Sequence, residues 1–207
     1  MKKRGLLITF EGLEGSGKST QVGLLASKLK ELNRQIKVTR EPGGTRIGEL
    51  IRQITHNREN VDLTAVAESY LMAASRAQHV REIIRPAIEA GLIVLCDRFI
   101  DSSLAYQGYG RRLGEEAIFQ LNKLATDDIF PDLTVFLDIT PEEGFKRRNG
   151  TDKIDRLDLQ QADFYKRVYQ GYKKIAGKNK ERYFIVDSHK PINTVADKIW
   201  KKVVRMR

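Results

Sequence analysis

Along the chain, short and almost wholly apolar runs alternate with longer stretches whose apolar residues recur every three or four positions. The runs "GLLITF", "LIVLCD", "LTVFLD" and "YFIVD" are of the first kind, and "IKVTR" is a brief strand ending at the "EPGGT" turn. Strands buried on both faces have no polar side and read as such runs. The second kind predicts helices. "KSTQVGLLASKLKELN" puts Val22, Leu25, Leu29 and Leu32 on one stripe, and "RIGELIRQIT" and the stretch from Thr64 to Gly91 follow. Further helices are expected at about 114–126, 158–176 and 192–205. On the helix from Thr64, the stripe Val66, Tyr70, Ala73, Ala74, Ala77, Val80 and Ile84 is expected to face the core. Strands alternating with helices imply an α/β fold, a parallel sheet flanked by helices on both faces. Ligands of such sheets sit beyond the carboxyl ends of the strands. Those ends carry Glu11-Gly12, Arg40-Glu41, Asp97-Arg98 and Asp138.

Composition narrows the class. The 207 residues fit a single domain, 1–207, with enough chain for a full core. The lone cysteine, Cys96, excludes an internal disulfide, and its place in an apolar run marks it as a buried thiol. His56, His79 and His189 lie far apart and have no zinc-type spacing. The apolar run after the basic N-terminus stops at Glu11, too short for a signal peptide or membrane span, so a cytoplasmic protein is expected. The formal net charge is +10, and residues 145–207, with 18 Lys and Arg against 7 Asp and Glu, carry the whole excess. These cations are scattered along helical stretches and predict a solvated basic face. No ribonucleoprotein or finger pattern accompanies them, so no specific nucleic-acid partner is expected.

Gly12, Gly17, Lys18 and Ser19 fit G-x-x-x-x-G-K-[ST], between a predicted strand and a predicted helix. Backbone N–H groups of such a loop surround phosphate oxygens, the helix adds its positive end, the lysine spans the phosphates and the serine is placed for Mg2+. The loop, Gly12, Leu13, Glu14, Gly15, Ser16, Gly17, Lys18, Ser19 and Thr20, is therefore expected to bind ATP, on a P-loop NTPase-type sheet. GTPase switch and base-reading motifs are lacking. Instead, arginines cluster near element ends: Arg40, Arg52, Arg76 and Arg98. Planar multi-donor cations grouped in this way suit a second, phosphorylated ligand.

The stretches "FEGLEGSGKST", "TREPGGT", "SRAQH", "CDRFIDSSLAYQG" and "DRLD" resemble the bacterial thymidylate kinases, over residues 5 to about 188. The resemblance implies transfer of the γ-phosphoryl group of ATP to dTMP, with Mg2+, by a homodimer. It also implies that Arg40, Arg52 and Arg98 surround the acceptor phosphate, that Arg76, Ser103 and Gln107 read thymine, and that Tyr106 lies under the deoxyribose. Met72 stands where the family usually has an aromatic platform for the base, a departure that keeps polarizability and loses the flat face.

Glu14, a fixed negative charge inside an anion-binding loop, is explained by the resemblance as a group facing the acceptor nucleotide. Gly15 occupies the place where some relatives carry a catalytic arginine. The compensating cations then resemble the lid type, with a short mobile lid at about 146–157 that carries Arg147, Arg148, Lys153 and Arg156. Lys18, Arg98 and Arg156 are expected to act on the transferring group, since phosphoryl transfer spreads charge that cations must meet. Another (deoxy)nucleoside monophosphate kinase, or a P-loop protein that binds ATP and nucleic acid without catalysis, are the alternatives.

Overall fold

A computed structural model describes residues 4–148, 156, 157 and 160–206. Strands β1 (Leu6–Glu11), β2 (Ile36–Arg40), β3 (Ile93–Asp97), β4 (Leu133–Asp138) and β5 (Tyr183–Asp187) form one parallel sheet in the order β2-β3-β1-β4-β5. These are the four apolar runs and the brief strand "IKVTR". Alternate residues of the central strands feed two different cores. Leu7, Val94, Cys96 and Phe136 pack into one. Ile8, Phe10, Ile93, Leu95, Leu133, Val135 and Leu137 pack into the other. In the central strands β1, β3 and β4 both sides are covered, which is why these runs lack alternation, whereas the edge strands β2 and β5 keep exposed positions.

Helices α1 (Lys18–Glu31) and α9 (Ile192–Val203) cover one face through Val22, Leu25, Leu29, Val195 and Ile199. The other face is closed chiefly by α4 (Arg85–Glu89), α5 (Ile100–Ser103), α6 (Glu115–Thr126) and α8 (Ala162–Lys178), with Ile88, Ile100, Ile118, Val168 and Tyr172 inside. Beside them stand α2 (Arg46–His56) and α3 (Ala65–His79), and α7 (Pro141–Arg148) follows β4. The expected single helix from Thr64 to Gly91 is broken by a π-helical turn at Val80–Ile84 ahead of Pro86. Proline has no N–H to continue the ladder, and a wider turn absorbs the loss. A second π-helical stretch, Leu104–Gly110, continues α5 and packs on α8. Among the described residues, no helix is long and apolar enough to cross a membrane.

Helix α3 departs from expectation in its orientation. Val66 and Tyr70, assigned to the core by their spacing, are 54% and 62% exposed, and Ala74 and Ala77 also face outward. The buried face is polar: Glu68, Ser75, Arg76 and His79, with Ala73 among them. Buried charge is tolerated when paired. Arg76 and His79 both bond Glu41 at the end of β2, while Glu68 accepts from Gln107 and Arg111. Pairing, rather than apolar spacing, sets the helix's rotation.

Candidate active site

The loop between β1 and α1 wraps the side chain of Lys18, whose Nζ donates to the carbonyls of Gly12 (3.2 Å) and Leu13 (2.9 Å). Burial and the charge of Arg98 lower its pKa. The Leu13 side chain lies in the core, and the carbonyl of Ser16 accepts from Ser188 Oγ at 2.6 Å. Gly15 takes φ +77°, and a Cβ there would collide with the carbonyl oxygen of Gly144 in α7. A Cβ on Gly144 would in turn stand 2.6 Å from the carbonyl oxygen of Glu14. Two glycines thus seat α7 directly on the loop, and no arginine fits at position 15. At the start of α1, Ser19 Oγ donates to Asp97 Oδ2 at 2.7 Å. A hydroxyl beside a carboxylate suits Mg2+, a hard cation that takes oxygen ligands and keeps much of its water.

Arg98, in the left-handed region at φ +71°, occupies the centre of the site. Its NH1 donates to Gly12 O (3.0 Å), Ser102 Oγ (3.1 Å) and Tyr172 OH (3.1 Å), and its NH2 to Glu14 Oε1 (2.5 Å) and Tyr106 OH (3.2 Å). The negative charge in the phosphate loop is therefore answered by a cation from β3. Behind Arg98 lies Glu11, fully buried, which accepts from Phe99 N (2.7 Å), Ser102 Oγ (2.6 Å) and Tyr172 OH (3.0 Å). Burial, with the nearby charge of Asp101, pushes its carboxyl up to about 7.

A cavity of about 650 Å³ opens between the loop and α3, a size that accommodates a small ligand. Its wall includes Glu14, Gly15, Gly17, Lys18, Ser19 and Thr20 from the phosphate loop and α1. Opposite them are Arg40, Arg52, Met72, Arg76, Arg98, Ser103, Tyr106 and Gln107. Arg40 is held by Glu49 through two bonds from NH2, 3.0 and 2.9 Å, and Arg52 NH1 donates to Pro42 O at 3.3 Å. Arg76 is nearly saturated: Nε donates to Glu41 (2.8 Å), NH1 to Ser103 (2.9 Å) and Asn122, and NH2 to Phe99 O (3.0 Å). A guanidinium has five N–H groups, so one remains for a ligand. Gln107 donates to Glu68 Oε1 at 2.7 Å, which fixes its amide.

The thymidylate kinase family model matches residues 10–199. A thymidylate kinase of Geobacillus thermodenitrificans is 46% identical over 193 residues, 92% of this chain and 86% of that one. The chain belongs to the thymidylate kinase family. A thymidylate kinase of Caldanaerobacter subterraneus is 47% identical over 200 residues, covering 97% of this chain and 95% of its own. A crystal structure of the Ehrlichia chaffeensis thymidylate kinase superposes with TM-score 0.79 at 36% identity, covering 97% of this chain and 98% of that one. The protein is an ATP-dependent kinase of this family.

The expected lid cations are placed differently from the cavity set. Lys153 and the side chain of Arg148 lie outside the described residues. Arg147 pairs with Glu143 along α7 at 3.2 Å. Arg156, expected over ATP, is buried away from the cavity wall in this kinase. Its Nε donates to Thr55 O at 2.9 Å and its NH2 to Glu68, the carboxylate that also holds Gln107. The physical reason is Glu68 itself, a fully buried anion that collects Arg111, Gln107 and Arg156. That ion pair holds the guanidinium on the side of the cavity that carries Gln107, so acting elsewhere in the site would require it to leave Glu68.

Sequence patterns placed Glu11 and Glu41 at strand ends but gave them no role, and did not reveal Glu68, Tyr172 or His56. The first three are acids in or next to predicted elements, and their burial became visible only through their partners. His56, the last residue of α2, lines the cavity. Burial and the charge of Arg52 lower its pKa to about 4, with Arg98 and Arg156 acting in the same direction and Glu14 opposing. In the unfolded chain the ring takes up a proton near pH 6.5, and in the folded chain only near pH 4. Its contribution to stability is thus complete above pH 6.5 and is lost as pH falls toward 4, by up to about 3 kcal/mol. Glu11 runs the opposite way, its raised pKa costing stability as pH rises from 4.5 to about 7. Glu11 is common to wild type and His56→Gln, so its effect cancels in their difference. Urea unfolding at pH 7, 5.5 and 4 should show the variant gaining on wild type as pH drops. A difference that does not change with pH would contradict the assignment.

Proposed function

We propose that the kinase passes the γ-phosphoryl group of ATP to dTMP, giving ADP and dTDP, with ATP on the phosphate loop and dTMP in the adjoining cavity. The observation that carries this is the position of Arg98, which bonds the loop at Gly12 and Glu14 and the acceptor wall at Tyr106. One guanidinium thus touches both halves of the site, where donor and acceptor phosphates must meet for in-line transfer. Arg40 and Arg52 complete the acceptor-phosphate cluster. Arg76, Ser103 and Gln107 face the base, with Met72 as its apolar platform and Tyr106 beneath the sugar. A phosphate oxygen of dTMP is already a nucleophile, so no general base is assigned. Lys18 and Arg98 meet charge on the transferring group, and Arg156 joins them once free of Glu68. Ser19, with Asp97 acting through water, would hold Mg2+, which supplies neutralisation of the ATP phosphates. ATP and dTMP are cytoplasmic metabolites, and the reaction is assigned to that compartment.

The test is a panel of acceptors assayed for ADP release, with and without EDTA. dTMP should turn over fastest, thymidine not at all, and EDTA should stop the reaction. Comparable rates with AMP, GMP or CMP would refute the acceptor assignment.

The homodimer proposal draws support from the outward apolar residues of three adjoining helices. Leu50 and Ile54 of α2, Val66 and Tyr70 of α3 and Leu124 of α6 are all at least 45% exposed, and α3 packs between the other two. An apolar surface spread over neighbouring elements marks an interaction face. Tyr70→Arg should shift the kinase from dimer to monomer in sedimentation at micromolar concentration. A monomeric wild type, or a variant that stays dimeric, would remove this face from consideration.

A further inference from the structure

His56 has no part in the roles assigned above, yet it sits in the wall of the acceptor cavity beside Arg52. The orientation of its ring is fixed from behind. Thr55, fully buried, points its hydroxyl at the carbonyls of Ile51 (3.1 Å) and Arg52 (3.3 Å), and its Oγ1 also lies 2.9 Å from His56 Nδ1. A hydroxyl has one proton. Giving that proton to the helix carbonyls assigns the contact to the ring N–H at Nδ1 and leaves Nε2 as an acceptor; the other tautomer would reverse both roles. Nε2 takes no hydrogen bond from any described residue, and it does not belong to the fully enclosed polar atoms that lack a partner. The charged groups facing the ring are Arg52 on its own helix, Glu14 and Arg98 across the cavity, and Arg156 behind it. Three of the four are cations, which disfavour an imidazolium and keep Nε2 an acceptor.

The acceptor nucleotide offers few groups to match it. Apart from its dianionic phosphate, dTMP has two hydrogen-bond donors, the 3′-hydroxyl and the N3–H of the base. The cations of the wall, Lys18, Arg40, Arg52, Arg76 and Arg98, cannot accept. Its carboxylates already accept from protein groups, Glu14 from Arg98, Glu41 from Arg76 and His79, and Asp97 from Ser19. We infer that His56 is a specificity-determining residue of the acceptor site, with Nε2 accepting a hydrogen bond from one of these two donors of dTMP. The inference rests on dTMP being the acceptor, which the acceptor panel tests separately.

The experiment compares wild type, His56→Leu and His56→Gln with dTMP and with 3′-deoxy-dTMP, at pH 7.5 and saturating ATP. Leucine keeps the bulk and removes the acceptor, whereas glutamine can place an amide oxygen near the position of Nε2. His56→Leu should lower kcat/KM for dTMP about tenfold, chiefly through KM, with KM for ATP, measured separately at saturating dTMP, unchanged. His56→Gln should recover most of that loss. If the loss disappears with 3′-deoxy-dTMP, the sugar hydroxyl is the donor. If it persists there undiminished, the donor is N3–H. The inference is overturned if His56→Leu stays within twofold of wild type, or if His56→Gln is as poor as leucine. Should the leucine variant fail to fold, the glutamine variant decides alone: a tenfold loss with intact thermal melting overturns the inference, and near-wild-type KM supports it.

Discussion

Arg98→Lys should cost on the order of 10³-fold in kcat/KM for dTMP, about 4 kcal/mol of transition-state stabilisation. The size follows from the number of groups that one guanidinium organises. Arg98 bridges the Gly12 carbonyl, Glu14, Ser102, Tyr106 and Tyr172. A lysine keeps the charge but is a point source with three donors, unable to span the loop and the acceptor wall together. The loss should spread beyond binding, because Glu14 and Glu11 would no longer face a positioned cation in a buried site. Steady-state kinetics with both substrates checks this, and thermal melting separates catalysis from misfolding. A folded variant that retains a tenth or more of wild-type kcat/KM would show that Arg98 is not the junction between donor and acceptor.

Arg156→Ala should lower kcat by a factor on the order of 10³, the contribution seen when an arginine reaches a transferring phosphoryl group. The case begins at Gly15, where backbone conformation and the carbonyl of Gly144 exclude any side chain, so the loop cannot supply this cation. It must come from another segment, and Arg156, within the lid expected at about 146–157, is the arginine expected to act on the transferring group. Its resting partner is Glu68, and KM for dTMP should also rise a few-fold because Glu68 holds Gln107. The ratio of the two effects is the measurement. If kcat falls less than threefold, below about 0.7 kcal/mol of barrier, while KM rises, Arg156 serves only to hold Glu68, and Arg147 or Arg148 becomes the candidate.

The central strands were readable from the sequence because strands buried on both faces have no polar alternation. The edge strands β2 and β5, which keep exposed positions, were readable as short runs between helical stretches. β2, β4 and β5 coincide with "IKVTR", "LTVFLD" and "YFIVD". The phosphate loop was readable because its pattern is local, Gly12 to Ser19 between β1 and α1. Arg40 and Arg98 could be placed beside the cavity from their positions at strand ends, whereas Arg52 and Arg76 reach it from helices α2 and α3. The rotation of α3 could not be read, because it is decided by Glu41, Gln107, Ser103 and Arg111, which are distant in sequence. The same spacing of Val66 and Tyr70 would have faced the core had those partners been absent. The stretch "LAYQGYG", with two glycines, looks like a loop, and only packing on α8 makes it π-helical. His56 gave no signal, since an isolated histidine at a helix end says nothing about which cavity it borders.

The contact between Gly15 and Gly144 bears on the routes by which such a site can change over generations. An arginine at position 15 is a single codon step from glycine, yet here that step would drive a side chain into the backbone of α7. Replacing Gly144 first brings no relief, because its own Cβ would press on the carbonyl of Glu14 at 2.6 Å. Each substitution is blocked until the helix has moved, and the helix has no reason to move while both glycines remain. A lineage with this arrangement is therefore held to cations drawn from outside the loop, and its descendants would sooner exchange one distant arginine for another than acquire one at position 15.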